Sequence, residues 1–326
     1  MDPGLTPTRE AAAPGRIRPG APPRERAALL SVGSNAALIA AKLAVGLITG
    51  SVAVLTEALH SSIDLIASGV AYVSIRKADV PADEDHRYGH EKIENMGAAG
   101  EGVLILVGSA IIAYEAIQHL VQGSTVHQVG LGIAVVAGSM IVNLVVSGTL
   151  DRRARATESP ALAGDAAHLR TDALTSAGVL VALALVGLTG ESWIDPAVAL
   201  VVAVVIVGTG VRILSRSSRV LVDEGLPHEE LEVIRTEVMG FGPRGVAGFH
   251  KLRTRRAGPR RYVDLHVQFR SGTTLEVAHQ TAHELQDAIT ARLRRADVLI
   301  HLEPEDSVQP GTEVPDPAAS EEVDPG

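Results

Sequence analysis

The residues Glu57-Ala58-Leu59-His60-Ser61-Ser62-Ile63-Asp64 sit inside an otherwise apolar run from Ser51 to Ile75. His60 and Asp64 are one helical turn apart, so a helix projects both from one face. An ionisable pair within a lipid-spanning segment is costly unless it meets a partner or a cavity, which makes it a functional-site hypothesis. The same spacing recurs in Ala167-His168-Leu169-Arg170-Thr171-Asp172, at the start of another apolar run, and each copy has a serine eight positions after its histidine, Ser68 and Ser176. Two such helices facing each other bring two imidazoles and two carboxylates to one point, a donor set that tetrahedral Zn²⁺ accepts. The plainer reading is hydrogen-bonded bridging between helices. It fits less well, because such bridges in membranes are usually made by Ser, Thr, Asn or Gln.

Outward from that stretch, six apolar segments reach or approach the roughly 20 residues that cross a hydrocarbon core. They lie near Ala27 to Ile48, Ser51 to Ile75, Ala98 to His119, Gly130 to Thr149, Pro160 to Gly190 and Pro196 to Ile213. Most lack the polar face of a soluble amphipathic helix. The 46% hydrophobic content and positive mean hydropathy agree with a lipid-embedded domain spanning 27–213. Cysteine is absent, which excludes disulfides, thiolate metal sites and cysteine nucleophiles. The net charge is −9 and the basic residues cluster between apolar runs, so no nucleic-acid footprint is read.

Loop charge sets the orientation. Arg16, Arg18, Arg24 and Arg26, then Arg76, Lys77, Arg87 and Lys92, then Arg152, Arg153 and Arg155, then Arg212, Arg216 and Arg219 fall on one side. The opposite connections, Thr49-Gly50, Val121 to Val129 and Glu191 to Asp195, hold no Lys or Arg. The positive-inside rule then places both termini in the cytoplasm. Ser159-Pro160 reads as the N-cap and first turn of the fifth helix, so both His-x-x-x-Asp pairs lie near mid-membrane. The two helices run antiparallel, and each histidine stands level with the other's aspartate.

Residues 1–26, rich in Pro, Gly, Ala and Arg, read as a disordered basic arm rather than a cleaved signal. Residues 214–304 change character. A helical pattern over Pro227 to Met239, alternating strands over His250 to Arg256 and Arg260 to Phe269, an amphipathic helix over Thr274 to Leu293 and a short strand over Asp297 to Leu302 predict a small α+β domain of ferredoxin-like type. Residues 305–326 are acidic, Pro-rich and expected to be disordered.

Two further clusters carry metal-ligating side chains. Asp83, His86 and His90 follow the second span at spacings of three and four, against the alternative of a solvated charged loop. His250, His266, His279, His283 and His301, with Glu303, are scattered over the C-terminal domain. Asp165 and Lys42 are expected at an aqueous boundary or in an ion pair, and Arg170 has no evident partner.

These motifs resemble the cation diffusion facilitator family of proton-coupled divalent-metal exporters. The likeness runs from about Ser31 to Pro304. It is carried by Thr49-Gly50-Ser51, Pro81-Ala82-Asp83 through Gly89-His90-Glu91-Lys92, the two His-x-x-x-Asp helices and His250-Lys251-Leu252-Arg253-Thr254-Arg255. It implies a multi-pass α-helical membrane protein with six transmembrane helices and a cytoplasmic metallochaperone-like domain, working as a homodimer in the lipid bilayer of a bacterial inner membrane. It implies a transport site of His60, Asp64, His168 and Asp172, a second site of Asp83, His86 and His90, and a cytoplasmic-domain site of His250, His266, His279, His301 and Glu303. In the bacterial pattern an Asp stands at the position of Glu303, and often at that of His60. Lys92 and Asp223 match a charge pair near the dimer interface. The two-His, two-Asp set resembles the zinc branch and argues against all-oxygen ions such as Mg²⁺ or Mn²⁺. The expected activity is Zn²⁺/H⁺ antiport out of the cytoplasm, with Cd²⁺, Fe²⁺ and Co²⁺ as alternative cargo. The rival is a membrane-anchored metal receptor that binds zinc without moving it. An intramembrane metalloenzyme fits less well, because four protein ligands leave no open position on the metal and no His-Glu-x-x-His occurs.

Overall fold

The computed structural model describes residues 24–49, 52–122, 130–307 and 311–314. Six long helices come first: α1 (Arg24–Thr49), α2 (Val52–Ala78), α3 (Lys92–Gln122), α4 (Gly130–Thr157), α5 (Pro160–Thr189) and α6 (Ile194–Leu221). Among the described residues, five are long and apolar enough to cross a membrane: Arg24–Ile48, Lys92–Gln122, Ile133–Thr157, Pro160–Thr189 and Ile194–Leu221. The remaining expected span falls in α2, which packs against α1, α3 and α5. Leu47, Leu188 and Val204 are among the large apolar side chains left exposed on these helices, as lipid-facing positions require.

Beside apolar clusters such as Ile105 of α3 with Val202 and Ile206 of α6, small residues let the helices approach closely. A Cβ at Gly210 would lie 3.2 Å from the Gly102 carbonyl oxygen, and one at Gly102 would lie 3.0 Å from the Leu214 backbone nitrogen. The α3 and α6 backbones therefore meet where neither carries a side chain. Ser159 caps α5 as expected, its Oγ accepting from the Leu162 N–H at 3.3 Å, with Pro160 in the first turn.

Several expected boundaries shift, α3 starting at Lys92 rather than Ala98 and α4 running to Thr157 rather than Thr149 among them. The first helix starts at Arg24 rather than Ala27, because the Arg24 guanidinium pairs with both Asp79 and Glu94. The sixth runs to Leu221 rather than Ile213, since long polar side chains let a helix continue past its apolar stretch into water. Residues from Glu305 onward are not uniformly unstructured. Glu305–Ser307 form a 3-10 turn, and Glu313 pairs with Phe249 through N–H to O bonds of 2.9 and 2.8 Å. Of the expected arm over residues 1–26, residues 1–23 lie outside the described residues, as do 308–310 and 315–326 of the expected tail.

The C-terminal domain runs α7 (His228–Gly240), β1 (Val246–Ala257), β2 (Arg260–Phe269), α8 (Leu275–Arg292) and β3 (Ala296–Pro304). Its sheet has the order β1-β2-β3, with β1 antiparallel and β3 parallel to β2. Alternation decides which face is core. Val263, Leu265, Val267 and Phe269 of β2 join Ile234 and Val238 of α7 and Leu285 and Ile289 of α8 in one cluster. The intervening residues, Asp264, His266 and Gln268, belong to the opposite face.

Candidate metal centres

The first centre lies between α2 and α5. His168 Nε2 stands 3.5 Å from Asp64 Oδ1 and 3.8 Å from Asp172 Oδ2, and ligand atoms of the three residues lie within 4.8 Å of one another. Asp64 and His168 are buried. Helix periodicity places His168 and Asp172 on one face of α5, and the antiparallel α2 brings Asp64 level with His168. The fourth expected ligand, His60, belongs to α2, but its side chain lies outside the described residues. Both ring nitrogens of His168 are buried without a hydrogen bond. Native interiors rarely leave such groups unmatched unless a ligand or ion completes them.

Around this centre runs a polar file that corrects one expectation. Asp165 is not at an aqueous boundary. It is fully buried, and its Oδ1 accepts from Ser31 and Ser68, each at 3.1 Å. Ser68 also accepts from Asn35 at 2.7 Å, and Asn35 donates to the Asp64 carbonyl at 3.3 Å. Lys42 is buried as well and donates to Ser61 at 2.7 Å. Arg170, with no evident partner in the sequence, turns outward to Asp151 at 3.7 Å. Glu101 of α3, which belongs to none of the sequence motifs, also reaches this centre. This residue is fully buried, with Oε2 4.0 Å from His168 Nδ1. Its signal is present in the chain: between Met96 and Tyr114 it is the one charged residue.

The second centre forms in the connection from α2 to α3. Asp83, His86 and His90 offer ligand atoms within 4.8 Å of one another. Asp83 pairs with His86 Nδ1 and His90 Nε2, each at 3.3 Å. The His86 backbone N–H, donating to Asp83 Oδ1 at 2.6 Å, holds that carboxyl below its usual value and keeps it an anion. His90 Nδ1 lies 3.3 Å from the Val80 carbonyl, which orients Nε2 toward Asp83.

The third centre follows from strand register. His250 pairs with His266 across β1 and β2, and His266 pairs with His301 across β2 and β3, so the three histidines form one row on the sheet face away from α7 and α8. Glu303, two residues past His301, shares that face. Its Oε2 meets His250 Nε2 at 2.7 Å and its Oε1 meets His266 Nδ1 at 2.6 Å. Burial raises the Glu303 carboxyl, but the bonds to His266 and His250 outweigh it and leave the group below its usual value. Two imidazoles and a carboxylate suit Zn²⁺, and His301, with Nε2 3.9 Å from Glu303 Oε1, is at hand as a fourth donor. His279 does not join this row. It sits on the exposed side of α8, 3.2 Å from His283 Nε2, while α8 covers the other face of the sheet.

The expected Lys92–Asp223 pair forms within the chain at 2.9 Å, and Arg255 adds a second cation at 3.4 Å. The side-chain bond from Lys92 holds the Asp223 carboxyl below its usual value. The hairpin between β1 and β2 docks on the same region. The Gly258 N–H donates to Asn95 Oδ1 at 2.8 Å, and a Cβ there would lie 2.8 Å from the Glu91 carbonyl oxygen, so only glycine fits. Tyr262 Oη donates to the Tyr88 carbonyl at 2.7 Å, and the Arg255 guanidinium lies over both tyrosine rings.

Residues 28–222 match the model of the cation efflux transmembrane domain, and residues 226–305 match that of the cation efflux protein cytoplasmic domain. The chain belongs to the cation efflux family. An uncharacterized transporter of Synechocystis is 36% identical over 277 residues, covering 85% of this chain and 89% of the relative. The cation-efflux pump FieF of Klebsiella pneumoniae is 31% identical over 281 residues, covering 86% and 92%. A solved structure of the transporter CzrB in a Zn form is 39% identical over 27% of this chain and 98% of that one, with a TM-score of 0.25. Family membership makes this chain a membrane cation-efflux transporter rather than an enzyme.

Proposed function

We propose that this protein exports Zn²⁺ from the cytoplasm in exchange for protons, as a homodimer of six-span subunits in a bacterial inner membrane with both termini cytoplasmic. The observation that carries the reading is the buried His168 imidazole, its Nε2 between Asp64 and Asp172 in the middle of a lipid-spanning bundle. With His60, four residues before Asp64 in the chain, as the expected fourth ligand, the donor set is two nitrogens and two carboxylates, which favours Zn²⁺ over Mg²⁺ or Mn²⁺. The name of the FieF relatives, cation-efflux pump, supports the direction of transport.

The cargo ion enters from the cytoplasmic side past the acidic connection that holds Asp83. On the four-residue site it meets neutral imidazoles and ionised carboxylates, so protons leave as the ion binds. Rigid-body rocking of the helices opens the site to the other side, where protons compete for the imidazoles and release the ion. The row of His250, His266, His301 and Glu303 senses cytoplasmic metal, and the pairing of Asp223 with Lys92 links that domain to α3. Zinc uptake into proteoliposomes, with and without an imposed pH gradient, tests the proposal. Uptake accelerated by the gradient supports antiport, and zinc binding without uptake would favour a receptor.

A further inference from the structure

His168 has two nitrogens with different surroundings. Nε2 faces the carboxylates of Asp64 and Asp172, whereas Nδ1 faces Glu101 Oε2 at 4.0 Å. Glu101 rises from α3, outside the two helices that carry the expected ligands. It is fully buried, and neither of its carboxylate oxygens has a hydrogen-bond partner in the structure. Burying an acid in this way costs free energy that a merely space-filling residue avoids. The backbone also makes room for it: a Cβ at Gly164 of α5 would press to 3.2 Å on Glu101 Cβ and Cγ.

We infer that Glu101 is the positioning residue of the transport site, accepting the Nδ1–H of His168 and so committing Nε2 to the ion. Metal-bound histidines almost always donate their second ring N–H to a carboxylate, a carbonyl or water. That bond fixes the tautomer and the ring plane, and its loss typically costs 10- to 100-fold in affinity. The 4.0 Å separation is about 1 Å longer than a hydrogen bond. A small rotation of the ring toward α3 closes it as Nε2 takes up the cargo. Asp165, one turn before His168, accepts from Ser31 and Ser68 through Oδ1 and keeps Oδ2 buried without a hydrogen-bond partner, but among the described residues the carboxylates within 4.0 Å of a His168 nitrogen are Asp64, Glu101 and Asp172. The inference rests on the transport-site reading above.

The test uses the full chain with His86→Ala and His250→Ala added to silence the other two centres. Zinc affinity is measured by calorimetry and the histidine nitrogens by selective ¹⁵N labelling. Glu101→Leu is expected to weaken binding 10- to 100-fold, and Glu101→Gln, which keeps an oxygen acceptor, to recover most of the loss. With zinc bound, the His168 spectrum is expected to show a protonated Nδ1 and a metal-bound Nε2. Unchanged affinity in Glu101→Leu, failure of Glu101→Gln to recover it, or zinc on Nδ1 would overturn the role of Glu101. The ¹⁵N readout decides even if Glu101→Leu does not fold. Retained zinc binding in His168→Ala would instead overturn the transport site itself.

Discussion

Asp64 of α2 and His168 of α5, far apart in the chain, stand with Oδ1 and Nε2 3.5 Å apart in the interior of the helical bundle. This is wider than a direct hydrogen bond, and it leaves the imidazole nitrogen facing the carboxylates of Asp64 and Asp172 rather than bonded to either. An ion drawing in all three has little rearrangement to make. Asp172→Asn keeps the shape and removes one anionic donor. It is expected to weaken zinc binding at this site by about tenfold or more, read by calorimetry in the background that silences the other two centres.

The contact between Gly102 and Gly210 predicts a stability effect independent of metal. Gly210→Leu forces side-chain atoms toward the Gly102 carbonyl and Leu106. Overpacking of this kind costs about 1–3 kcal/mol. A lowered unfolding temperature in detergent checks it, and an unchanged one would show that α3 and α6 are free to move apart.

Arg261 bridges the two domains, with Nη1 2.7 Å from Glu158 Oε2 at the end of α4 and Nε 2.8 Å from Glu230 Oε2 of α7. Burial raises the Glu230 carboxyl, but its bond from Arg261 and the charge of Arg256 outweigh that and leave it below its ordinary 4.5. A carboxyl depressed in the folded state contributes stability that is complete above its unfolded pKa and disappears as pH falls through the folded one. The stability difference between wild type and Glu230→Gln is therefore expected near neutral pH and should vanish well below pH 4.5, as followed by hydrogen exchange in α7.

Tyr262 ties β2 to the connection that carries Asp83, His86 and His90. Tyr262→Phe removes the bond to the Tyr88 carbonyl and keeps the ring edge-on to Tyr88 and beneath the Arg255 guanidinium. The expected loss is about 1 kcal/mol of local stability. Faster amide exchange around Gly258, where the hairpin meets Asn95, is the readout.

What was legible in the chain followed from local spacing. The repeated His-x-x-x-Asp pattern announced that two helices share a site, Ser159-Pro160 announced the start of α5, and alternation in Arg260–Phe269 announced a strand. What was hidden depended on which element lies across from which. Glu101 is one acid in an apolar helix, and only the approach of α3 to α5 gives it meaning. His279 lies on a helix whose side of the sheet the sequence does not state, and α8 packs on the face opposite the row of His266. The row of His250, His266 and His301 depends on the register of three strands, which no single strand encodes. Glu313 lies in a stretch whose composition reads as disorder, yet it finds the open backbone edge of β1 at Phe249.

If His168, between Asp64 and Asp172, holds the transported ion, its loss abolishes transport. The most direct measurement is zinc uptake into proteoliposomes by wild type and by His168→Ala under the same pH gradient. Uptake is expected in the wild type and none above background in the variant, with both proteins eluting alike on gel filtration. Zinc uptake at the wild-type rate by a folded His168→Ala protein would contradict it.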